Sequence, residues 1–129
     1  MDIRTIMSPE PISARPEWPV RRALELLVQH SISGLPVVDG ENRIVGVVSE
    51  RDLMALFGSS SAKDVAALMT RDPITLAADA PLVDAVDCLM AYDFRRVLVH
   101  EGGKLVGVVS RADLMPVILE LLLERDTSA

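Results

Sequence analysis

The sequence predicts an α+β fold within the broad α/β class, built from two pseudo-symmetric β-α-β-β-α repeats. The first observation is a duplicated segment, because residues 45–54 return as residues 106–115 with only two differences. The second is that matching apolar residues and prolines before this segment are separated by a constant 62 residues, as Met7 and Met69 are. The third is that the offset changes only within a glycine turn, where a repeated structure tolerates a change of length.

Each copy is predicted to hold an opening strand, a helix and a hairpin, in that order. Pro19 introduces the first helix, and apolar residues follow at helical spacing between Val20 and Val28. Two short apolar runs, Leu35 to Val38 and Ile44 to Val48, flank a turn that contains glycine and predict a hairpin. Because proline cannot donate to a ladder, Pro36 should begin its strand or lie at a sheet edge. The second copy repeats these elements.

A closing helix completes each copy. Ser49 opens the first of these helices, and Gly58 is predicted to end it with a left-handed C-cap. Ser110 opens the second, which carries Pro116 at its sixth position. A proline ring clashes with the carbonyl four residues earlier, so we expect a kink or break, with residues 117–125 on a new axis.

The last segment of the chain is too apolar for a free surface helix and too short to span a bilayer. We therefore expect a partner interface there, formed by Ile118, Leu119, Leu121, Leu122 and Leu123.

The domain boundaries are predicted to follow the repeat. Residues 1–61 form repeat 1 with a short serine linker, and residues 62–129 form repeat 2 with the C-terminal helix. A unit of roughly 55 residues buries too little surface to be stable alone, so the two copies should fold as one body.

Composition excludes several classes of function. The net charge is −6 and no basic run occurs, so nucleic acid is not expected as the main partner. No apolar run is long enough for a membrane span and no signal peptide is recognisable, which predicts a cytoplasmic protein. Cys88 replaces an apolar helix position and is predicted to be a buried structural thiol. His30 and His100 lack partners at ligand spacing, so no metal site is expected.

The polar residues shared by both copies are Ser49-x-x-Asp52 and Ser110-x-x-Asp113. One interpretation is structural, because serine can cap a helix while an acidic residue three positions on bonds back to the cap. The other is functional, because a carboxylate at this point can accept hydrogen bonds from both hydroxyl groups of a ribose diol. No nucleophile with an adjacent base is recognisable, so catalysis is not expected.

The repeats resemble two tandem CBS domains, together called a Bateman module, over nearly the whole chain. The matching segments are Ile6-Met7-Ser8 and Leu68-Met69-Thr70, His30 to Asp39, and the Gly-Val-Val-Ser-x-x-Asp-Leu that closes both copies. The resemblance implies two halves packed sheet to sheet with a cleft on each side, and usually a homodimer. It also implies that the clefts bind adenosine-containing ligands, with AMP, ADP or ATP expected first and S-adenosylmethionine or NAD as further members.

Carried over position by position, the resemblance implies two ligand sites. Site one would consist of Pro11, Ile12, Ile32, Ser33, Val47, Ser49 and Asp52, with Arg95 and Arg96 reaching across from the other copy. Site two would consist of Pro73, Ile74, Phe94, Arg95, Val108, Ser110 and Asp113, with Gly34 facing it from the first copy. In both sites the aspartate would hold the ribose.

The sequence thus predicts a non-catalytic regulatory module whose ligand is an adenine nucleotide and which requires no cofactor. Occupancy would be passed on through a homodimer or to a separate effector protein. The alternative is a structural dimerisation or scaffold module with empty clefts, in which both Ser-x-x-Asp motifs act only as helix caps.

The two sites should differ in affinity for AMP. The resemblance implies that Arg95 and Arg96 face the site on Asp52, whereas Ser33 and Gly34 occupy the equivalent place opposite Asp113. A charge-assisted bond contributes about 1.5–3 kcal/mol, so the affinities should differ roughly tenfold or more. Titration calorimetry measures this difference, and two equal, independent sites would contradict it.

Overall fold

The computed structural model describes residues 1–9, 11–58, 60–92 and 95–128. They form a mixed α+β fold with two sheets, which confirms the predicted fold class. The strands are β1 (Ser8–Pro9), β2 (Gly34–Val38), β3 (Ile44–Ser49), β4 (Thr70–Arg71), β5 (Thr75–Ala77), β6 (Arg96–Glu101) and β7 (Lys104–Ser110). The helices are α1 (Val20–His30), α2 (Glu50–Met54), α3 (Val65–Leu68), α4 (Leu82–Ala91) and α5 (Arg111–Ser128).

The first helix and hairpin follow the sequence pattern. Pro19 occupies the N-cap position just before α1, and Ser31 ends the helix in the left-handed conformation. Strands β2 and β3 pair antiparallel, which confirms the predicted hairpin. Pro36 lies in β2, the edge strand of its sheet, as proline in a strand requires. Its carbonyl accepts from the Ala14 N–H at 2.8 Å on the outer side of the strand.

The described residues fold into two compact units. The C unit comprises Met1–Glu10, Ile74–Gly102 and Val106–Ala129, and the N unit comprises Pro11–Pro73 and Gly103–Leu105. These units differ from the sequence repeats mainly in their opening segments. Each unit contains most of one repeat together with the opening segment of the other repeat.

Strand pairing shows how the opening segments are used. In the C unit the sheet order is β1-β7-β6-β5, and β1 pairs antiparallel with β7. In the N unit the order is β2-β3-β4, and β4 pairs antiparallel with β3. The opening strand of each repeat therefore completes the sheet that holds the closing strand of the other repeat.

A glycine lies opposite each of these opening strands. A Cβ atom built on Gly107 would lie 2.6 Å from Met7 Sδ and 2.8 Å from the carbonyl oxygen of Ser8. A Cβ atom on Gly46 would lie 2.8 Å from the carbonyl oxygen of Thr70 and 2.9 Å from the sulfur of Met69. These separations are too short for a side chain, so the opening strands can approach only because both positions are glycine.

Each unit has its own aliphatic core. In the C unit, fully buried Val97, Val99 and Val109 pack with Ile3 and Ala85. The core of the N unit contains Leu35, Val37, Val48 and Val65 with Ala23. In each core, residues from the closing strands and the first helix of one repeat meet a residue from the opening segment of the other.

One prediction about a helix end is wrong, and a second is wrong in part. Gly58 has φ −98° and ψ −121°, outside the left-handed region, because α2 runs into a 3-10 turn over Ala55–Phe57 that precedes it. Helix α5 is not broken at Pro116 but continues to Ser128, so the expected break is wrong, while a kink at Pro116 stays a prediction. Proline removes one backbone hydrogen bond, and the leucine-rich residues that follow are good helix formers.

We expect Gly107→Ala and Gly46→Ala to destabilise the fold. Overpacking a tight site costs about 1–3 kcal/mol, so the free energy of unfolding should fall by that amount in each variant. Urea denaturation measures the change. Gly40→Ala is the matched control, because the nearest atom to its Cβ is 3.7 Å away. Equal stability of Gly107→Ala and Gly40→Ala would show that the close approach is not required.

Candidate functional site

The serine and aspartate of the second copy lie at the start of α5. The Ser110 N–H donates to Asp113 Oδ2 at 2.7 Å, and the Asp113 N–H donates to Ser110 Oγ at 3.4 Å. These reciprocal bonds cap the helix. The structural interpretation of the motif is therefore correct for this copy, although it accounts for only one of the two carboxylate oxygens.

The serine and aspartate of the first copy make more hydrogen bonds than those of the second. Asp52 Oδ2 accepts from the Ser49 N–H at 2.9 Å and from the Ser49 hydroxyl at 3.0 Å, and the Asp52 N–H donates to Ser49 Oγ at 3.3 Å. The Thr70 hydroxyl donates to the remaining oxygen, Oδ1, at a long 3.4 Å. Both oxygens of Asp52 are thus in contact with donors from the N unit.

The two carboxylates differ in what reaches Oδ1. Ser8 is the residue that corresponds to Thr70 in the repeat. Within the part of the chain that the structure describes, neither Ser8 nor any other donor bonds to Oδ1 of Asp113. That oxygen can accept a hydrogen bond from a ligand without first losing one from the protein.

Asp113 lines an open cavity of about 430 Å³ in the C unit. Helix α5 contributes Ala112, Asp113, Pro116, Val117 and Glu120 to its wall. The opening segment contributes Met1, Thr5 and Ile6. The cavity is open to solvent, because five of these eight residues are exposed. Of the residues predicted for site two, only Asp113 lies on this wall.

The predicted residues of site one that belong to the N unit lie near the start of α2. The Glu50 N–H donates to the carbonyl of Ser33 at 2.9 Å, and Gly34 pairs with Ser49. Val47 pairs with Thr70, whose side chain reaches Asp52. Pro11 and Ile32 are half-buried, and Ile12 is exposed.

The predicted residues of site two are spread more widely. Val108 is buried in β7, Pro73 and Gly34 are half-buried in the N unit, and Ile74 and Arg95 are exposed. Phe94 lies outside the described residues. The expected contributions of Arg95 and Arg96 to site one, and of Gly34 to site two, stay predictions.

Sequence reasoning missed most of the cavity wall. Pro116, Val117 and Glu120 follow Asp113 at helical spacing, so the pattern could have placed them on one face of α5. Thr5 and Ile6 carried no comparable signal. They open the first copy in the sequence but belong to the C unit in space.

Other reactive groups are not part of this site. Cys88 is buried in the core of the C unit, as predicted for a structural thiol. Burial raises the pKa of its thiol, which lowers the fraction of reactive thiolate. Across residues 1–9, 11–58, 60–92 and 95–128, no three histidine, cysteine or acidic side chains gather as they would around a metal ion. In the same residues, no helix has the length and apolar character of a membrane span.

Comparison with known proteins identifies the family. The model of the CBS domain matches residues 3–59 and again residues 62–120. The chain belongs to the CBS-domain family. It carries two CBS domains in tandem, as the resemblance of its motifs implied.

Two solved structures show the same fold with adenosine compounds. The crystal structure of CBSX2 in complex with AMP has a TM-score of 0.84 and 34% identity, covering 93% of this chain and 97% of that one. CBSX2 comes from Arabidopsis thaliana. The CBS domain pair of protein MJ0100, solved with 5′-methylthioadenosine and S-adenosyl-L-methionine, has a TM-score of 0.77 and 28% identity, covering 92% and 95%.

Curated relatives include much longer proteins. The chloroplastic CBS domain-containing protein CBSX2 of Arabidopsis thaliana is 31% identical over 145 residues, covering 88% of this chain and 61% of the relative. The A-adding tRNA nucleotidyltransferase of Aquifex aeolicus is 30% identical over 120 residues, covering 93% and 15%. An inosine-5′-monophosphate dehydrogenase of Korarchaeum cryptofilum is 37% identical over 105 residues, covering 80% and 21%. The chain spans less than two thirds of each of these relatives.

We expect Cys88 to resist modification in the folded protein. Its raised pKa keeps it protonated at neutral pH, and its burial blocks access of the reagent. Reaction with a disulfide reagent such as DTNB, followed by absorbance, should be slow at pH 7 and become fast in urea. Rapid stoichiometric labelling of the native protein at pH 7 would show that the thiol is accessible.

Proposed function

We propose that this chain is a non-catalytic regulatory module that binds an adenosine-containing ligand through its paired Ser-x-x-Asp motifs. Asp113 and Asp52 accept hydrogen bonds from the ribose diol in the two sites. AMP, ADP and ATP are the first candidates for the ligand, because the related pair CBSX2 was crystallised with AMP. S-adenosylmethionine is a further candidate, because the MJ0100 pair was crystallised with it.

The observation that carries this proposal is the free oxygen of Asp113 at the wall of a cavity. Oδ2 is used to cap α5, no donor among the described residues bonds to Oδ1, and Asp113 is one of the residues that line a space of about 430 Å³. A carboxylate oxygen without a donor in the folded protein can accept a hydrogen bond from a ligand hydroxyl, and no hydrogen bond within the protein has to break. Ser110 holds Asp113 in place through the cap, so the acceptor is preorganised.

Asp52 supports a second site, in which Oδ1 of the aspartate already accepts a hydrogen bond before a ligand binds. The hydroxyl of Thr70 reaches its Oδ1, so a ribose must replace that long bond. Thr70 is exposed, and its hydroxyl can turn to water when a ligand arrives. The predicted phosphate contacts of Arg95 and Arg96 would then offset the lost bond.

Helix α5 offers a route from the cavity to a partner. Asp113 and Glu120 line the cavity, while Ile118, Leu119, Leu121, Leu122 and Leu123 on the same helix are between 39% and 57% exposed. An apolar surface of this size on one helix is typical of an interaction site. A ligand with different affinity for two positions of α5 would change this surface, and so regulate a homodimer contact or a separate effector protein. A cytoplasmic location stays a prediction.

Thermal shift with AMP, ADP, ATP, NAD and S-adenosylmethionine tests the proposal. At a ligand concentration 100 times Kd, binding stabilises the folded state by about 2.7 kcal/mol, so the melting temperature should rise by several degrees. The double variant Asp52→Asn/Asp113→Asn should lose this response. An amide oxygen can still cap each helix, so the variant should fold.

Asp64→Asn is the matched control for these variants. Asp64 also caps a helix, since it accepts from the Ala67 N–H at 3.1 Å, but it is not part of the cavity wall. This variant should respond to ligand as the original protein does. If no compound raises the melting temperature of any form, the clefts are empty and the scaffold alternative is favoured. Turnover of a ligand during incubation would contradict the non-catalytic assignment.

A further inference from the structure

The helices of the N unit leave large apolar side chains in water. Val28 of α1 is 71% exposed, and Phe57, in the 3-10 turn that follows α2, is 99% exposed. Leu24 of α1 and Met54 of α2 are exposed as well. Helices α1 and α2 contact each other, so these four side chains lie on neighbouring elements. We call them the N surface.

The C unit exposes the equivalent positions of its own two helices. Their large apolar side chains are Met90 of α4 and Met115 and Ile118 of α5, which correspond to Val28, Met54 and Phe57. All three are exposed, and Met90 is 82% exposed. The Arg111 guanidinium donates to the carbonyl oxygen of Leu89 at 3.3 Å, which holds the start of α5 beside α4. We call the three side chains the C surface.

The first helices of the two units carry net charges of opposite sign. Helix α1 contains Arg21, Arg22 and Glu25, a net charge of +1 with its histidine neutral. Helix α4 contains Asp84 and Asp87 and no basic residue, a net charge of −2. All five side chains are exposed, so a second molecule can reach them.

Ion pairs within the chain leave part of this charge unbalanced. Arg21 pairs with Glu25 at 3.0 Å, so these two charges largely cancel. In the described part of the chain, no acidic side chain pairs with Arg22, and no basic side chain pairs with Asp84 or Asp87. One cation on α1 and two anions on α4 are therefore available to a partner.

These charges discriminate between two ways of joining two molecules of this chain. If like surfaces meet, α4 lies near α4 and α1 lies near α1, and both contacts bring charges of the same sign together. If the N surface meets the C surface, α1 lies near α4 and the charges attract. Helices α2 and α5 carry net charges of −1 and −2, so they discriminate little between the two arrangements.

We propose that the N surface of one molecule binds the C surface of a second molecule of the same chain, in a closed antiparallel dimer. A second molecule is the partner because each chain carries both halves of a contact that is complementary in charge. The contact removes Val28, Phe57 and Met90 from water, which is the source of its affinity. The inference goes beyond the proposed function, because it names the partner and its orientation and needs no ligand.

Cysteine cross-linking tests the orientation. Val28→Cys and Met90→Cys place thiols at the most exposed apolar positions of α1 and α4. With a short bismaleimide, neither single variant should give a covalent dimer, whereas the double variant should give one linked between positions 28 and 90. The unaltered chain is the blank, because its Cys88 is buried.

The cross-linked products decide between the two arrangements. Mass spectrometry of peptides from the covalent dimer identifies the linked positions. A covalent dimer formed by either single variant would show that like surfaces meet, and it would overturn the proposal. The absence of a link between positions 28 and 90 in the double variant would overturn it as well.

Charge reversal tests the reason for the orientation. Arg21→Glu/Arg22→Glu gives α1 the same sign as α4, so the dimer Kd should rise roughly tenfold or more at low salt. Adding Asp84→Lys/Asp87→Lys makes the signs opposite again and should restore most of the lost affinity. Sedimentation equilibrium measures these constants.

Lys63→Glu/Lys104→Glu is the matched control for the charge reversal. It changes the net charge of the chain by the same amount, at exposed positions outside α1, α2, α4 and α5. The dimer Kd of this control should stay close to that of the unaltered chain. If the control weakens the dimer as much as Arg21→Glu/Arg22→Glu does, total charge and not the contact between α1 and α4 is responsible, and the proposal is wrong.

Light scattering of the unaltered chain shows whether a second molecule binds at all. A mass of two chains at micromolar concentration supports the dimer. A mass of one chain, or a mass that keeps growing with concentration, contradicts it. Neither result affects ligand binding, which the thermal shift experiment decides separately.

Discussion

The structure depends on the close approach of two short strands to two glycines. Strand β1 pairs with β7 at Gly107, and strand β4 pairs with β3 at Gly46. At both glycines the neighbouring atoms leave no room for a Cβ atom. Each approach brings the opening segment of one repeat into the sheet of the other. Neither compact unit is therefore a product of one repeat alone, and two copies of the sequence unit are needed to complete either sheet.

This exchange also builds the candidate site. The wall of the cavity combines α5, from the end of the second repeat, with Thr5 and Ile6 from the opening of the first. Hydrogen bonds from Ile3 N–H to the Ala80 carbonyl and from Arg4 N–H to the Ala78 carbonyl, both 2.9 Å, fix that opening segment in the C unit. The same contacts that complete the sheet therefore place the residues that face Asp113.

The Ser-x-x-Asp motif shows that a structural and a functional role can share one side chain. A carboxylate has two oxygens, and the helix cap uses Oδ2 in both copies. Whether Oδ1 also accepts a hydrogen bond depends on the residue in the neighbouring opening strand. Thr70 supplies a hydroxyl to Asp52, while Ser8 supplies none to Asp113. The two copies share the motif, but before a ligand binds their aspartates differ in the hydrogen bonds that Oδ1 accepts.

The sequence by itself determined the duplication, the order helix, strand, strand, helix within each copy, the hairpin β2–β3 and the family. These follow from local patterns: apolar spacing, turn residues and the repeated motif all act over a few neighbouring positions. It also identified both Ser-x-x-Asp motifs and gave both roles for them. The left-handed cap predicted at Gly58 was wrong because a 3-10 turn precedes that residue. The break predicted at Pro116 was wrong because the helix continues through the proline.

Only the tertiary structure decided which opening strand joins which sheet, why Gly46 and Gly107 are glycine, and which residues surround Asp113. Thr5 lies more than one hundred residues from Asp113 in the chain, and no periodic pattern connects them. Such contacts arise from the pairing of distant strands and the packing of the two cores. Local sequence patterns act over a few neighbouring residues, so they do not specify which distant residues come into contact.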